Sequence, residues 1–159
     1  VMRQAVVMQM TWIGAPTLYY GDEAGVCGFT DPDNRRTYPW GKEKQELLEF
    51  HKEAISIHKE SSALRNGSLD ILYGENNVVA YARFDKDETI VVVINRGSEK
   101  NELTIPVWRA EVPKQCEMEQ ILYSYADRYS VDSVLLPVDE GNLTLYMGEN
   151  AAAILRYRK

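Results

Sequence analysis

Hydrophobic and polar positions divide this chain into two parts with different periods. Residues 1–12 (VMRQAVVMQMTW) mix Val, Met and Ala with polar positions and hold no breaker, which predicts a buried helix end. Gly14 and Pro16 stop it. Thr17, Leu18, Tyr19 and Tyr20 form a short β-prone run closed by Gly21, with Tyr19 expected in the core. Residues 22–41 are rich in Gly, Pro and polar side chains. A loop of that length in a compact fold is functional or disordered. Residues 43–60 carry the clearest helical pattern. At about 100° per residue, Leu47, Leu48, Phe50, Ala54, Ile55 and Ile57 share one side, and the charged residues share the other. The helix should end before Ser61 and Ser62.

From Leu69 the period becomes two. Strands are predicted over 69–73, 78–84, 89–95, 102–107, 119–124, 133–138, 142–147 and 152–157. Turn-forming runs such as Gly74-Glu75-Asn76-Asn77 and Asp139-Glu140-Gly141-Asn142 separate them. Residues 89–94 are nearly all apolar, so this strand should be central and covered on both faces. Tyr81 and Arg83 alternate with Ala80, Ala82 and Phe84, as in a half-buried strand. Short strands with regular turns predict an antiparallel sandwich.

Composition narrows the function. Of 159 residues 45% are hydrophobic, enough for a real core, and 18 Lys+Arg against 24 Asp+Glu leave a net charge of −6. That balance argues against nucleic acid or an anionic membrane surface as partner. No apolar run is long enough for a transmembrane helix. Residues 1–20 lack the order of a signal peptide. Since the chain opens on Val1, an upstream targeting segment could exist, and the compartment stays open. Cys27 and Cys116 fit neither a disulfide scaffold nor a zinc cluster and are expected as unpaired thiols. His51 and His58 fall on the apolar side of the 43–60 helix. Seven residues of helix set them about 10.5 Å apart, too far for one metal ion. They are expected as core-facing groups bonded to a neighbouring element.

The segment Gly14–Glu23 (GAPTLYYGDE) is similar to a late motif of the α-amylase family, glycoside hydrolase family 13, with the pattern G-x-P-x-x-Y-Y-G-x-E. Gly14, Pro16, Tyr19, Tyr20, Gly21 and Glu23 match. Residues 30–40 (TDPDNRRTYPW) resemble the following loop of neopullulanase, cyclomaltodextrinase and amylopullulanase-like members. Residues 62–67 (SALRNG) resemble the P-A-L-R-x-G link into the family's C-terminal β domain, with Ser62 where Pro is usual. The resemblance implies a mainly β chain: a C-terminal antiparallel β-sandwich preceded by the last strand, loop and helix of an incomplete (β/α)8 barrel. It implies residues 1–66 as the barrel remnant and 67–159 as the sandwich.

The same resemblance implies a retaining hydrolase of α-glucosidic bonds. Its motifs for the catalytic carboxylates, G-x-R-x-D and N-H-D among them, do not occur here, so no catalytic residue is expected and this chain alone should be inactive. Asp31 and Arg35 match the Asp and Arg that hold sugar hydroxyls on the donor side of the cleft. A carboxylate accepts from paired hydroxyls, and a guanidinium donates to them in a fixed fork. The alternative is that Asp31–Arg35 or Asp33–Arg36 is an ion pair that shapes the loop. Glu23 is expected to buttress the site, with Tyr20 beside it. Trp108, Tyr125 and Tyr129 offer aromatic faces in the β region. No cofactor is expected, although calcium occurs in some family members. Expected partners are α-glucan oligosaccharides and the missing N-terminal part of the barrel. Apolar side chains left exposed at Val6, Val7, Leu18, Leu47 and Ile55 would permit self-association. The competing reading is a stand-alone β-sandwich, carbohydrate-binding or structural.

Overall fold

The computed structural model describes all of residues 1–159. Three helices precede nine strands: α1 Met2–Thr11, α2 Gln45–Glu60 and α3 Ser62–Asn66, then β1 Ser68–Glu75, β2 Val78–Phe84, β3 Glu88–Asn95, β4 Asn101–Ile105, β5 Cys116–Ser124, β6 Tyr129–Ser130, β7 Val134–Asp139, β8 Asn142–Met147 and β9 Ala151–Arg158. The mainly β, antiparallel architecture is as expected. The sandwich proves to be one sheet, ordered β1-β2-β3-β9-β5-β7-β8-β4, with β6 paired to β5. It curls until its two ends face each other across one core of Leu72, Val91, Val93, Ile105, Met118, Leu143 and Leu155. A 3-10 turn, Val107–Ala110, helps to bridge the gap. Arg109 donates to Asp70 of β1 at 2.9 Å, and the Trp108 N–H donates to the Gly141 carbonyl at 3.0 Å.

Tight hairpins set the register. Asn76 and Asn77 join β1 to β2 with φ of 51° and 62°, the left-handed pair that a two-residue turn requires. Glu140 and Gly141 do the same between β7 and β8, with φ of 49° and 82°. At Gly141 a Cβ would lie 2.8 Å from the Cβ of Trp108, so only glycine fits.

A second core lies on the sheet's outer face. There α1 and α2 set Val6, Val7, Met10, Phe50 and Ala54 against Tyr81, Ile90, Val92 and Ile154. This layer corrects three expectations. Val6 and Val7 are buried on the sheet, not exposed, while Leu18, Leu47 and Ile55 are half-buried. The exposed face of α1 carries Met2, Ala5 and Met8 instead. Strand β2 is buried on both faces: Ala80, Tyr81, Ala82 and Arg83 are all covered. Residues 17–20 form no strand, because no other strand lies alongside to accept and donate the ladder bonds. Two bonds reach that segment's backbone, from the Gln9 amide to the Thr17 carbonyl and from the Asp22 N–H to the Tyr19 carbonyl at 3.2 Å, and neither is a ladder bond. Tyr19 is therefore half-exposed, not core.

His51 is buried and His58 half-buried, and the two bond differently. The His58 Nδ1 meets the Met10 carbonyl of α1 at 2.7 Å. His51 turns back to its own helix, Nδ1 to the Leu47 carbonyl at 2.8 Å.

Tyr81 anchors the layer. The Thr11 hydroxyl donates to the Val7 carbonyl at 2.6 Å, so the proton in its 2.5 Å contact with Tyr81 comes from the tyrosine. Trp12 packs edge-on against the Tyr81 ring, centroids 5.0 Å apart. Burial pushes the Tyr81 phenol from 10.0 up to about 12, against smaller opposing effects of Thr11 and Arg83. Its folded pKa is thus raised, and unfolded chains ionise first. The associated stability, about 2–3 kcal/mol, is complete below about pH 10 and is lost as pH climbs toward 12. Urea unfolding across that window should show this slope in the wild type and a shallower one in Tyr81→Phe. Equal slopes would refute the assignment.

Candidate functional site

Residues 19–40 form two linked turns. In the first, Gly21 (φ 91°) closes on itself: the Val26 N–H donates to the Gly21 carbonyl at 2.9 Å, and the Gly21 N–H to Glu23 Oε2 at 3.0 Å. The Lys44 N–H donates to the Ala24 carbonyl at 3.1 Å, which ties this turn to the start of α2. In the second, Asp33 holds the ends together. Its carboxylate accepts from the Phe29 N–H at 3.2 Å and from Arg36 Nε at 3.1 Å. The Arg36 bond and the Phe29 N–H hold the Asp33 carboxyl below its ordinary pKa, and Asp33 raises that of Arg36. Gly28 is required at the crossing, since a Cβ there would lie 2.4 Å from the Asn34 Cα.

Asp31 and Arg35 project from this second turn. Arg35 Nε meets Asp31 Oδ1 at 2.9 Å, with the two side chains 68% and 58% exposed. Both ion pairs weighed from the sequence therefore form: Asp33–Arg36 closes the loop, and Asp31–Arg35 stands on its open side. Tyr20 joins the two turns, its hydroxyl donating to the Arg36 carbonyl at 3.0 Å. Glu23 is half-buried and makes its backbone contact inside the first turn, away from the Asp31–Arg35 pair. Its charge acts on Tyr38 instead. Burial first, then Glu23 and Glu43, push the Tyr38 phenol up. Tyr38 and Trp40 pack with centroids 4.6 Å apart, and Trp40 and Phe29 stand almost fully exposed. The surface offers two things to a polyhydroxylated ligand: a weakly committed Asp/Arg pair, and aromatic faces for its C–H groups. The Asp33–Arg36 ion pair, weighed from the sequence as one that shapes the loop, is the loop's clasp. The Asp-x-x-Arg spacing of Asp33 and Arg36 was its signal.

Residues 69–121 match the family described as Maltogenic Amylase, C-terminal domain. The chain is 42% identical over 110 residues to an amylopullulanase of Thermoanaerobacter thermohydrosulfuricus, covering 62% of this chain and 8% of that protein. It is 43% identical over 101 residues to a cyclomaltodextrinase of Thermoanaerobacter pseudethanolicus, covering 62% of this chain and 18% of that one. Among solved structures, the α-amylase of Geobacillus thermoleovorans complexed with acarbose superposes with a TM-score of 0.84 at 26% identity, over 99% of this chain and 33% of that chain. A cyclomaltodextrinase superposes with a TM-score of 0.76 at 29% identity, over 96% of this chain and 25% of that one.

The chain is thus similar, in sequence and in fold, to the C-terminal portion of α-amylase-family glycoside hydrolases. It spans less than a fifth of the length of these two curated relatives.

Proposed function

We propose that this chain is the C-terminal part of a retaining α-glucan hydrolase, with residues 1–66 belonging to its catalytic barrel and 67–159 forming its β domain. In this reading the loop at residues 28–40 supplies donor-side sugar contacts, and the carboxylates that break the bond lie outside this chain. The observation that carries it is the exposed Asp31–Arg35 pair in a loop whose sequence resembles that of the family. An exposed ion pair contributes about 0–1 kcal/mol. Sugar hydroxyls that bond both partners can therefore displace it at little cost. The Asp33–Arg36 clasp keeps the turn shaped while they do. Tyr20 and Glu23 act from behind, through backbone bonds that fix where the loop leaves the first turn.

The test is a titration with maltotetraose followed by backbone amide shifts, with a reducing-sugar assay on the same samples. Shifts should gather at residues 29–40, fall at least several-fold in Arg35→Ala, and come without new reducing ends. New reducing ends would refute the absence of catalytic carboxylates. Shifts confined to residues 67–159 would favour the stand-alone binding module instead.

A further inference from the structure

Between the helical layer and the sheet the chain makes its single Asn-Gly step, Asn66–Gly67. Asn66 ends α3 and is exposed, whereas Gly67 is buried. Packing dictates the glycine. Its φ of −73° suits any residue, but a Cβ there would lie 2.5 Å from the Ala63 carbonyl oxygen and 2.7 Å from that of Phe84. Both obstacles are backbone atoms, which cannot swing aside as the end of a side chain would.

The same missing Cβ makes the step chemically labile. In an unconstrained Asn-Gly sequence the glycine nitrogen loses its proton and attacks the asparagine Cγ. A C–N bond closes a five-membered imide, and ammonia leaves. Water then opens the imide at either carbonyl, giving an aspartyl or an isoaspartyl residue. Glycine favours the attack because nothing crowds its nitrogen and its backbone turns freely.

In the fold the side chain under attack is free and the attacking nitrogen is held. The Gly67 N–H donates to the Ala63 carbonyl at 2.8 Å, so its proton is engaged. The helical backbone of Asn66 sets this nitrogen to one side of Cγ, and ring closure needs it swung across. On its other side Gly67 is held by its carbonyl, which accepts from Arg83 Nη2 at 3.0 Å. The other Nη of Arg83 donates to Thr11 and Trp12 at the end of α1, which ties the lock to the helical layer.

We propose that Asn66–Gly67 is a latent modification site, closed in the folded chain and converted when the link between α3 and β1 opens. Conversion is one-way. The isoaspartyl product puts one more backbone carbon between α3 and β1, so Gly67 no longer meets Ala63 and Arg83 together. The aspartyl product sets a negative charge beside the carbonyls that end α3, which repel it. Either product weakens the link, so the site keeps a record of openings of the layer. It does not depend on the reading of the loop at residues 28–40.

The test ages the whole chain at mildly alkaline pH, native and in guanidinium chloride, and follows position 66 by peptide mapping with detection of isoaspartate. In guanidinium Asn66 should convert first among the asparagines, and in the native chain about tenfold or more slowly, a ratio set by how rarely the link opens. Arg83→Lys, which loses part of the lock, should convert at a rate between the two. Refolded after ageing in guanidinium, the wild type should unfold at a lower urea concentration than fresh chain. Asn66→Gln, which cannot close the five-membered ring, should keep its midpoint. Equal rates with and without guanidinium, or a position 66 that stays intact in both, would overturn the proposal. A fully converted wild type with an unchanged midpoint would overturn the weakening of the link.

Discussion

Replacing Arg83 with methionine should cost the fold about 3–5 kcal/mol, read from urea unfolding. Arg83 is 1% exposed, yet no carboxylate neutralises it. Its partners are backbone carbonyls. One Nη donates to Thr11 at 3.1 Å and to Trp12 at 2.9 Å, and the other donates to Gly67 at 3.0 Å. Thr11 is the last residue of α1, so two of these oxygens lie at the helix's negative end, where a cation is stabilised. Gly67 is the link between α3 and β1. One side chain of β2 thus ties both ends of the helical layer to the sheet. Two effects oppose each other. Burying a cation costs several kcal/mol, and burial does lower the Arg83 pKa. Removing it strands three carbonyls, at about 1–3 kcal/mol each when they stay dry. The second effect wins as long as the chain cannot open to let water reach them. Arg83→Lys should fall between wild type and methionine, since an ammonium cannot span both groups of carbonyls. A methionine variant within about 1 kcal/mol of wild type would show that desolvation cancels the bonds.

Most of the β half was legible, for a definite reason. Strands β2 and β8 were bounded to the residue, because alternation stops at Asn76-Asn77, Asp85 and Gly141, where the turn chemistry is explicit. The near-continuous apolar run of β3 marked a strand covered on both faces, and all eight residues are buried. Arg83 was misread because polarity alone cannot separate a solvent-facing arginine from one that caps a helix seventy residues away in sequence. The strand at residues 17–20 failed for another reason: β propensity states what a segment tolerates, and a strand exists only beside a partner. In the loop, the residues and both ion pairs were legible, but which pair closes the turn was not. Asp31, Asp33, Arg35 and Arg36 allow several ion pairs, and the choice follows from the Phe29 N–H that positions Asp33. The ion pair of Glu119 and Arg156 had no local signal at all. Glu119 and Arg156 meet only through the β5–β9 register, in which they are direct partners.

Phe50→Ala should be as damaging as the loss of Arg83, about 3–5 kcal/mol, and it tests how the two parts of the chain depend on each other. Phe50 has no exposed surface and meets Tyr129 edge-on, ring centroids 5.0 Å apart. It stands where α1, α2 and the outer face of the sheet converge, so truncation leaves a cavity that none of them can fill alone. Leu48 and Ile55, on the same helix but half-buried, should cost clearly less as alanine. The shape of the transition matters as much as its midpoint. Tyr81, Ile90, Val92, Leu122 and Ile154 belong to the core that the helices cover. If that shared core sets the cooperativity, amide signals from α2 and from β3 will be lost at one urea concentration, lower in Phe50→Ala than in wild type. If α2 melts first and β3 keeps its wild-type midpoint, the sheet holds itself together and residues 67–159 are an independent domain. The proposed boundary near residue 66 would then mark a true division of the fold. Coincident loss would mean that the helices at residues 2–60 complete the sheet they cover.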